Sequence, residues 1–247
     1  MDGTFYRGSR LLPGSADFLR VLEERGRRYL FFTNNSSRNR EAYAEKLRRM
    51  GVAVPAGRIV TSGDVTADWL TRYHRDKSIF LVGTSFLRDQ FAAAGLHLTE
   101  ENADAVVVGF DTETTYARLT RACDMIREGS LFVATHPDRT CPTETGFVPD
   151  CGAVIAFIKA AAGGAEPKIL GKPYRETLDY LLQYTGTAPE DMVFVGDRLY
   201  TDIAIGFRHG VDTVLVLTGE TTREDLRAGD IQPDLITDRL ADLACML

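Results

Sequence analysis

The chain's 247 residues suffice for one large domain or two small ones. Its 29 basic and 35 acidic side chains give a net charge of -6 with no basic run, which argues against a nucleic-acid partner. The apolar runs are strand-sized, Met1-Asp2-Gly3-Thr4 lacks the basic and apolar regions of a signal peptide, and Cys123, Cys141, Cys151 and Cys245 form no Cys-x-x-Cys pair, so a cytoplasmic, reduced protein without a membrane partner is expected.

Along the chain, apolar runs alternate with helical patterns. Strand-like runs fall at residues 29–33, 79–82, 105–109, 131–135, 192–196 and 213–217. Several are apolar nearly throughout, the pattern of strands buried on both faces. Between the first two, Tyr43, Leu47 and Met50 recur at helical spacing, with Gly51 as a stop. Further on, Leu119, Cys123 and Ile126 share one face of another helix. The alternation predicts an α/β fold with parallel sheets. Residues 161–165 are small and read as a hinge or linker edge. The strands are too many for one sheet with a single crevice. Residues 1–76 and 168–247 are therefore expected to form one unit, and 77–167 an inserted one.

Four segments sit where a strand ends and a loop begins, the face on which open α/β sheets bind ligands. Asp2-Gly3-Thr4 is suited to turn tightly and present a carboxylate, although an ordinary turn has the same composition. In Phe32-Thr33-Asn34-Asn35-Ser36, the Thr33 hydroxyl and the backbone N–H groups of Asn34 and Asn35 suit phosphate oxygens. A strand end followed by a helix N-cap is the alternative. Leu170-Gly171-Lys172-Pro173 sets an ammonium at a loop mouth, with Pro173 suited to a first helical position. A solvated lysine is the alternative there. Finally, the run Val193 to Asp202 brings Asp197 to the end of a buried strand, with Asp202 on the next turn. Two carboxylates in that place are costly unless a cation or hydrogen bonds hold them, and hard oxygen ligands suit magnesium.

In this order the four segments resemble the signature of the haloacid dehalogenase (HAD) superfamily of phosphatases, over essentially the whole chain. Val60-Thr61-Ser62-Gly63, Val107-Val108-Gly109-Phe110-Asp111, Ala134-Thr135-His136-Pro137-Asp138 and Pro149-Asp150-Cys151-Gly152 further resemble the subclass IIA branch. That branch contains nitrophenyl phosphatases, nucleotide-monophosphate phosphatases and pyridoxal-phosphate phosphatases. The resemblance implies a Rossmann-like core with a large inserted α/β cap. It also implies magnesium-dependent hydrolysis of a small phosphorylated metabolite through an aspartyl-phosphate. Carried over residue by residue, Asp2 is the general acid/base, and its backbone carbonyl also binds the metal. Thr33 and Lys172, with Asn34 and Asn35, hold the phosphoryl oxygens. Asp197 coordinates magnesium, and Asp202 is a second ligand or an outer anchor. His136 and Asp138, on a cap loop, are candidates for contacting the leaving group, a surface histidine being the alternative for His136. The branch usually has Asn where this chain has His136, a departure that bears on substrate preference rather than on the reaction class. Relatives often pair through their caps, so a homodimer through that unit is one expected assembly.

The family's first motif is Asp-x-Asp-Gly-Thr, and its first Asp is the nucleophile. That residue and the strand before it are expected immediately upstream of Met1. A central strand buries several large apolar side chains, each contributing roughly 1.5–3 kcal/mol, against a net domain stability of about 5–15 kcal/mol. An internal Met read as the start is therefore the expectation. The alternatives are a catalytically inactive protein that binds phosphorylated ligands, and a nucleotide-binding Rossmann module. The latter is disfavoured, because no Gly-x-Gly-x-x-Gly follows a strand.

Overall fold

Runs of valine, isoleucine, leucine and phenylalanine form short parallel strands in the computed structural model, which describes residues 1–143 and 145–246. The Asp2-Gly3-Thr4 turn leads into a hairpin of β1 (Tyr6–Arg7) and β2 (Arg10–Leu11). After α1 (Ser15–Glu24), β3 (Phe31–Thr33) pairs in parallel with β4 (Ile59–Thr61), and α2 (Arg40–Arg49) lies between them in sequence. α3 (Ser62–Tyr73) starts directly at the end of β4.

Residues 77–167 supply β5 (Ser78–Val82), α4 (Ser85–Ala93), β6 (His97–Leu98), β7 (Ala105–Val108), α5 (Tyr116–Arg127) and β8 (Leu131–Ala134). They also supply an antiparallel hairpin of β9 (Thr140–Thr143) and β10 (Gly146–Pro149), then α6 (Cys151–Ala161). β11 (Lys168–Ile169) closes a five-stranded sheet of order β11-β8-β7-β5-β6, parallel at every pairing. Next come α7 (Arg175–Thr185), β12 (Val193–Gly196), a π-helical turn at Leu199–Ile203 and α8 (Ala204–His209). β13 (Asp212–Val216), α9 (Arg223–Ala228), β14 (Leu235–Thr237) and α10 (Leu240–Ala244) complete the chain, with β12, β13 and β14 forming a parallel sheet.

Every residue of β7 and nearly every residue of β5 is apolar and buried, so the five-stranded sheet needs cover on both faces. α5 and α6 pack Cys123, Ile126, Ile155 and Ile158 against Phe80, Val106 and Val108 on one face. On the other, α3, α4 and α7 bring Leu70, Leu87, Phe91 and Leu181 against Ile79, Leu81 and Val107. A third cluster joins Phe18, Leu22, Leu47 and Ile59 to Val214, Val216 and Leu243, and so bridges the β3–β4 and β12–β14 sheets.

The sheet does not divide where the sequence placed its boundary. β11 lies beyond residue 167 yet pairs with β8, because Lys168–Ile169 must extend the sheet to bring Gly171 and Lys172 to its end. Pro173 also differs from expectation. Tyr174 N–H bonds to Gly171 C=O at 2.9 Å, closing a turn, and α7 begins at Arg175, so Pro173 precedes the cap instead of opening the helix. Around residues 161–165, α6 ends at Ala161, and Gly163 and Gly164 take left-handed φ values of 68° and 84°. Among the described residues no helix is long and apolar enough to cross a membrane.

Candidate active site

β12 delivers Asp197 at its C-terminal end, where it is buried. Its Oδ1 accepts the Thr4 hydroxyl at 2.7 Å, and its Oδ2 accepts Glu220 N–H at 3.0 Å. Gly3 has a left-handed φ of 77°, and a Cβ there would lie 2.3 Å from Asp197 Oδ2. Only glycine lets the Asp2-Gly3-Thr4 turn close this tightly on the carboxylate. Burial and then the charge of Asp202 push the Asp197 carboxyl above its ordinary value.

Asp202 lies on the π-helical turn and faces the other way electrostatically. Its Oδ2 accepts the N–H groups of Asp197 and Arg198 at 3.2 and 3.1 Å, while its Oδ1 receives Lys172 Nζ at 2.5 Å. Burial disfavours its charge, but the charge and hydrogen bond of Lys172 prevail and hold it below the ordinary carboxylate value. One of two neighbouring buried carboxylates is thus neutralised by lysine. The other pairs with no lysine or arginine among the described residues, and the nearby Met1 amino group does not outweigh its burial.

Lys172 is placed by Asn34. The Asn34 amide accepts Lys172 N–H at 2.9 Å and donates to Lys172 C=O at 3.1 Å, clamping the residue through its own backbone. The ammonium also lies 4.9 Å from the Phe32 ring centre. Thr33 is buried at the end of β3, and its Oγ1 accepts Asn35 N–H at 3.2 Å. The Asn35 N–H is therefore engaged locally rather than presented to a phosphate. The Asn35 side chain is occupied as well, since its Oδ1 accepts Ser37 N–H at 2.9 Å and the Ser37 hydroxyl at 2.7 Å.

His136 is fully buried, so the expectation of a loop histidine reaching the leaving group meets a different geometry. Its Nε2 lies 2.9 Å from Asp150 Oδ1 and its Nδ1 2.7 Å from Thr135 Oγ1. Asp150 caps α6 through Cys151 N–H at 2.6 Å, which draws the loop closed over the imidazole. Asp138 does reach the cavity. Arg198 NH1 lies 3.4 Å from its Oδ2, and Asn34 Nδ2 lies 3.4 Å from its Oδ1. Burial raises the Asp138 carboxyl above its ordinary value.

These groups meet at a cavity of about 980 Å³ whose lining includes Asp2, Thr33, Asn34, Asp138, Lys172 and Asp197. Cys141 also faces it, and burial pushes its thiol up to about 11. Asp2 is half-buried and accepts a backbone hydrogen bond from Gly8, and burial raises its carboxyl despite the opposing charge of Lys46. Among the described residues, the trio whose ligand atoms converge within 4.8 Å is His136, Asp138 and Asp150, not Asp2, Asp197 and Asp202. Two of that trio already satisfy each other. A divalent cation is better suited by Asp197, a hard oxygen donor whose carboxyl burial and Asp202 raise. Asp202, with both oxygens engaged, fits the outer anchor. Thr4, Arg198 and Asp150 carry no role in the sequence reading, although each adjoins or belongs to a quoted segment. Their roles depend on contacts across the fold.

Two family models match the chain: haloacid dehalogenase-like hydrolase over residues 1–97, and HAD-hydrolase-like over residues 169–243. The chain is similar to a 4-nitrophenylphosphatase from Thermotoga maritima, with 47% identity, a TM-score of 0.94, and coverage of 99% of this chain and 94% of that one. It is 34% identical over 242 residues to the 5'-nucleotidase YutF of Bacillus subtilis, covering 98% of this chain and 94% of the relative. It is likewise 34% identical over 234 residues to an acid sugar phosphatase of Staphylococcus epidermidis, covering 94% and 90%. With the motif residues gathered at one cavity and relatives matched over nearly their whole length, the chain belongs to the haloacid dehalogenase-like hydrolases, in the subclass IIA branch of phosphomonoester phosphatases.

Proposed function

We propose that the protein is a magnesium-dependent phosphatase of small phosphorylated metabolites, such as nucleotide monophosphates or sugar phosphates, working through an aspartyl-phosphate. The charge asymmetry at the end of β12 carries this reading. Lys172 neutralises Asp202, whereas Asp197 beside it pairs with no lysine or arginine among the described residues, and burial and Asp202 raise its carboxyl despite the Met1 amino group. Asp197 and the Asp2 backbone carbonyl would hold magnesium, which would supply charge to stabilise the phosphoryl oxygens. Lys172 and the Thr33 hydroxyl hold other oxygens of the same group.

In the family's Asp-x-Asp-Gly-Thr motif, whose second Asp is matched by Asp2, the attacking carboxylate is the first Asp. Its oxygen bonds to phosphorus as the bond to the leaving oxygen breaks, and Asp2 gives that oxygen its proton. The Asp2 carboxylate then takes a proton from the water that attacks the aspartyl-phosphate, releasing phosphate and restoring both groups. A carboxyl raised by burial suits a group that must hold a proton and then pass it on. The segment 77–167 serves as the cap, with Asp138 lining the cavity from above the phosphoryl site.

Calorimetric titration with magnesium tests the metal assignment without relying on turnover. The wild-type chain is expected to bind the ion, and Asp197→Asn to weaken binding at least about tenfold, the loss of one charged ligand. Equal affinity in the two proteins would contradict the assignment.

A further inference from the structure

Three buried side chains of the inserted segment take no part in making or breaking bonds to phosphorus. They are His136, Asp138 and Asp150, none more than 5% exposed. One ligand atom from each lies within 4.8 Å of the others. Magnesium does not suit them, because it takes oxygen ligands and gives up its waters reluctantly. An imidazole nitrogen beside two carboxylates suits a borderline ion such as zinc.

The imidazole is oriented as a metal ligand needs to be. Its Nδ1 faces Thr135 Oγ1 at 2.7 Å and Ser62 Oγ at 3.4 Å. The Ser62 hydroxyl donates to Asn34 C=O, so its oxygen is left to accept and the Nδ1 position carries a proton. Holding that nitrogen fixes the tautomer and turns Nε2 toward a metal. Nε2 stands 2.9 Å from Asp150 Oδ1. Two ligands of a tetrahedral zinc ion, each roughly 2.0–2.2 Å from it, stand about 3.3–3.6 Å apart, so this pair need open by only about half an ångström. Asp150 stays anchored meanwhile by Cys151 N–H at 2.6 Å. Asp138 is the member free to swing in. Its contacts to Arg198 and Asn34 are both 3.4 Å, longer than an ordinary hydrogen bond. Arg198 keeps Glu220, at 2.9 Å, when Asp138 turns away. Asp138 and Asp150 both line the cavity, which gives an ion its way in.

The geometry points to a second cation site, in which His136 Nε2, Asp138 and Asp150 together ligate one zinc-like ion apart from the magnesium site at Asp197. The proton between His136 and Asp150 leaves to solvent as the metal takes its place. A water from the cavity fills the fourth position.

Calorimetric titration of the full chain with zinc tests this. In Asp197→Asn, where the magnesium site is disabled, one zinc ion should still bind, and magnesium in large excess should not displace it. Adding His136→Gln should weaken that binding at least about a hundredfold, and adding Asp138→Asn at least about tenfold, since even outer partners of a metal ligand count for about 10–100-fold. Asp138→Asn preserves the shape of the side chain, so it reads the site should the buried histidine variant fail to fold. Cobalt(II) in place of zinc should show the visible bands of nitrogen and oxygen ligation without the near-ultraviolet band of a thiolate. That separates the trio from Cys141, which lines the same cavity. No zinc bound in Asp197→Asn, affinity unchanged by either further substitution in a folded protein, or a thiolate band would overturn the site. Each of these results leaves the phosphatase assignment standing.

Discussion

Asn34 holds Lys172 through both polar ends of its amide, and Lys172 in turn neutralises Asp202. Asn34→Ala removes two buried hydrogen bonds and leaves a backbone N–H and C=O without partners. It is expected to cost about 2–4 kcal/mol of stability, read by urea unfolding. It should also lower kcat/KM by about a hundredfold, because the ammonium is no longer positioned. Full activity in Asn34→Ala would show that Lys172 is held by other contacts. His136 carries a pH signature. Burial disfavours the imidazolium, yet the charge and hydrogen bond of Asp150 outweigh it and raise the group above its ordinary value. A raised folded value stabilises fully below the unfolded pKa, near 6.5, and that stabilisation is lost as pH rises through the folded value. His136→Gln should therefore lower Tm more at pH 6 than at pH 9, by a difference of about 2–4 °C. A pH-independent loss in calorimetry would contradict the ion pair. At this scale residue type and strand-end position singled out Asp197 and Lys172, and both line the cavity. It did not reveal that Asn34 serves Lys172 or that His136 is enclosed, since both depend on partners more than a dozen residues away.

Among the elements, one carboxylate ties four helices together. Asp64 caps α3 by accepting Thr61 N–H at 2.7 Å, and its other oxygen receives Arg40 Nε and Gln90 Nε2, both at 2.7 Å. Arg40 opens α2 and also reaches Tyr180 and Tyr184 on α7, each at 2.9 Å. Asp64→Ala removes a cap and strands a half-buried guanidinium. The expected cost is about 2–4 kcal/mol, against a few tenths for an exposed pair such as Arg20 with Glu24. A loss below about 0.5 kcal/mol in urea unfolding would show that the helices pack without this link. Strands long and apolar enough to need burial, such as β5 and β7, were legible from composition. β6 and β11 were not, because two residues carry no periodicity. β9 and β10 contain Pro142 and Pro149 and are largely exposed, so they pair as a hairpin without any hydrophobic pattern.

For the whole molecule, the order of strand-end segments was more informative than any segment alone. Thr33, Lys172 and Asp197 come together at one cavity from the C-terminal ends of the parallel strands β3, β11 and β12, and the Asp2-Gly3-Thr4 turn joins them through the Thr4 hydroxyl on Asp197. The domain division was less legible. The inserted sheet borrows β11 from the following segment and shares a continuous core with α3 and α7, so composition shows no break at the crossing. The central claim is phosphomonoester hydrolysis that uses Asp2 as acid/base and depends on magnesium. Its most direct test is turnover of 4-nitrophenyl phosphate by the full-length protein, with magnesium and with a chelator, beside Asp2→Asn. Turnover should require magnesium and fall by about 10²–10⁴-fold in Asp2→Asn. Hydrolysis that persists in chelator, or that survives Asp2→Asn unchanged, would contradict the account.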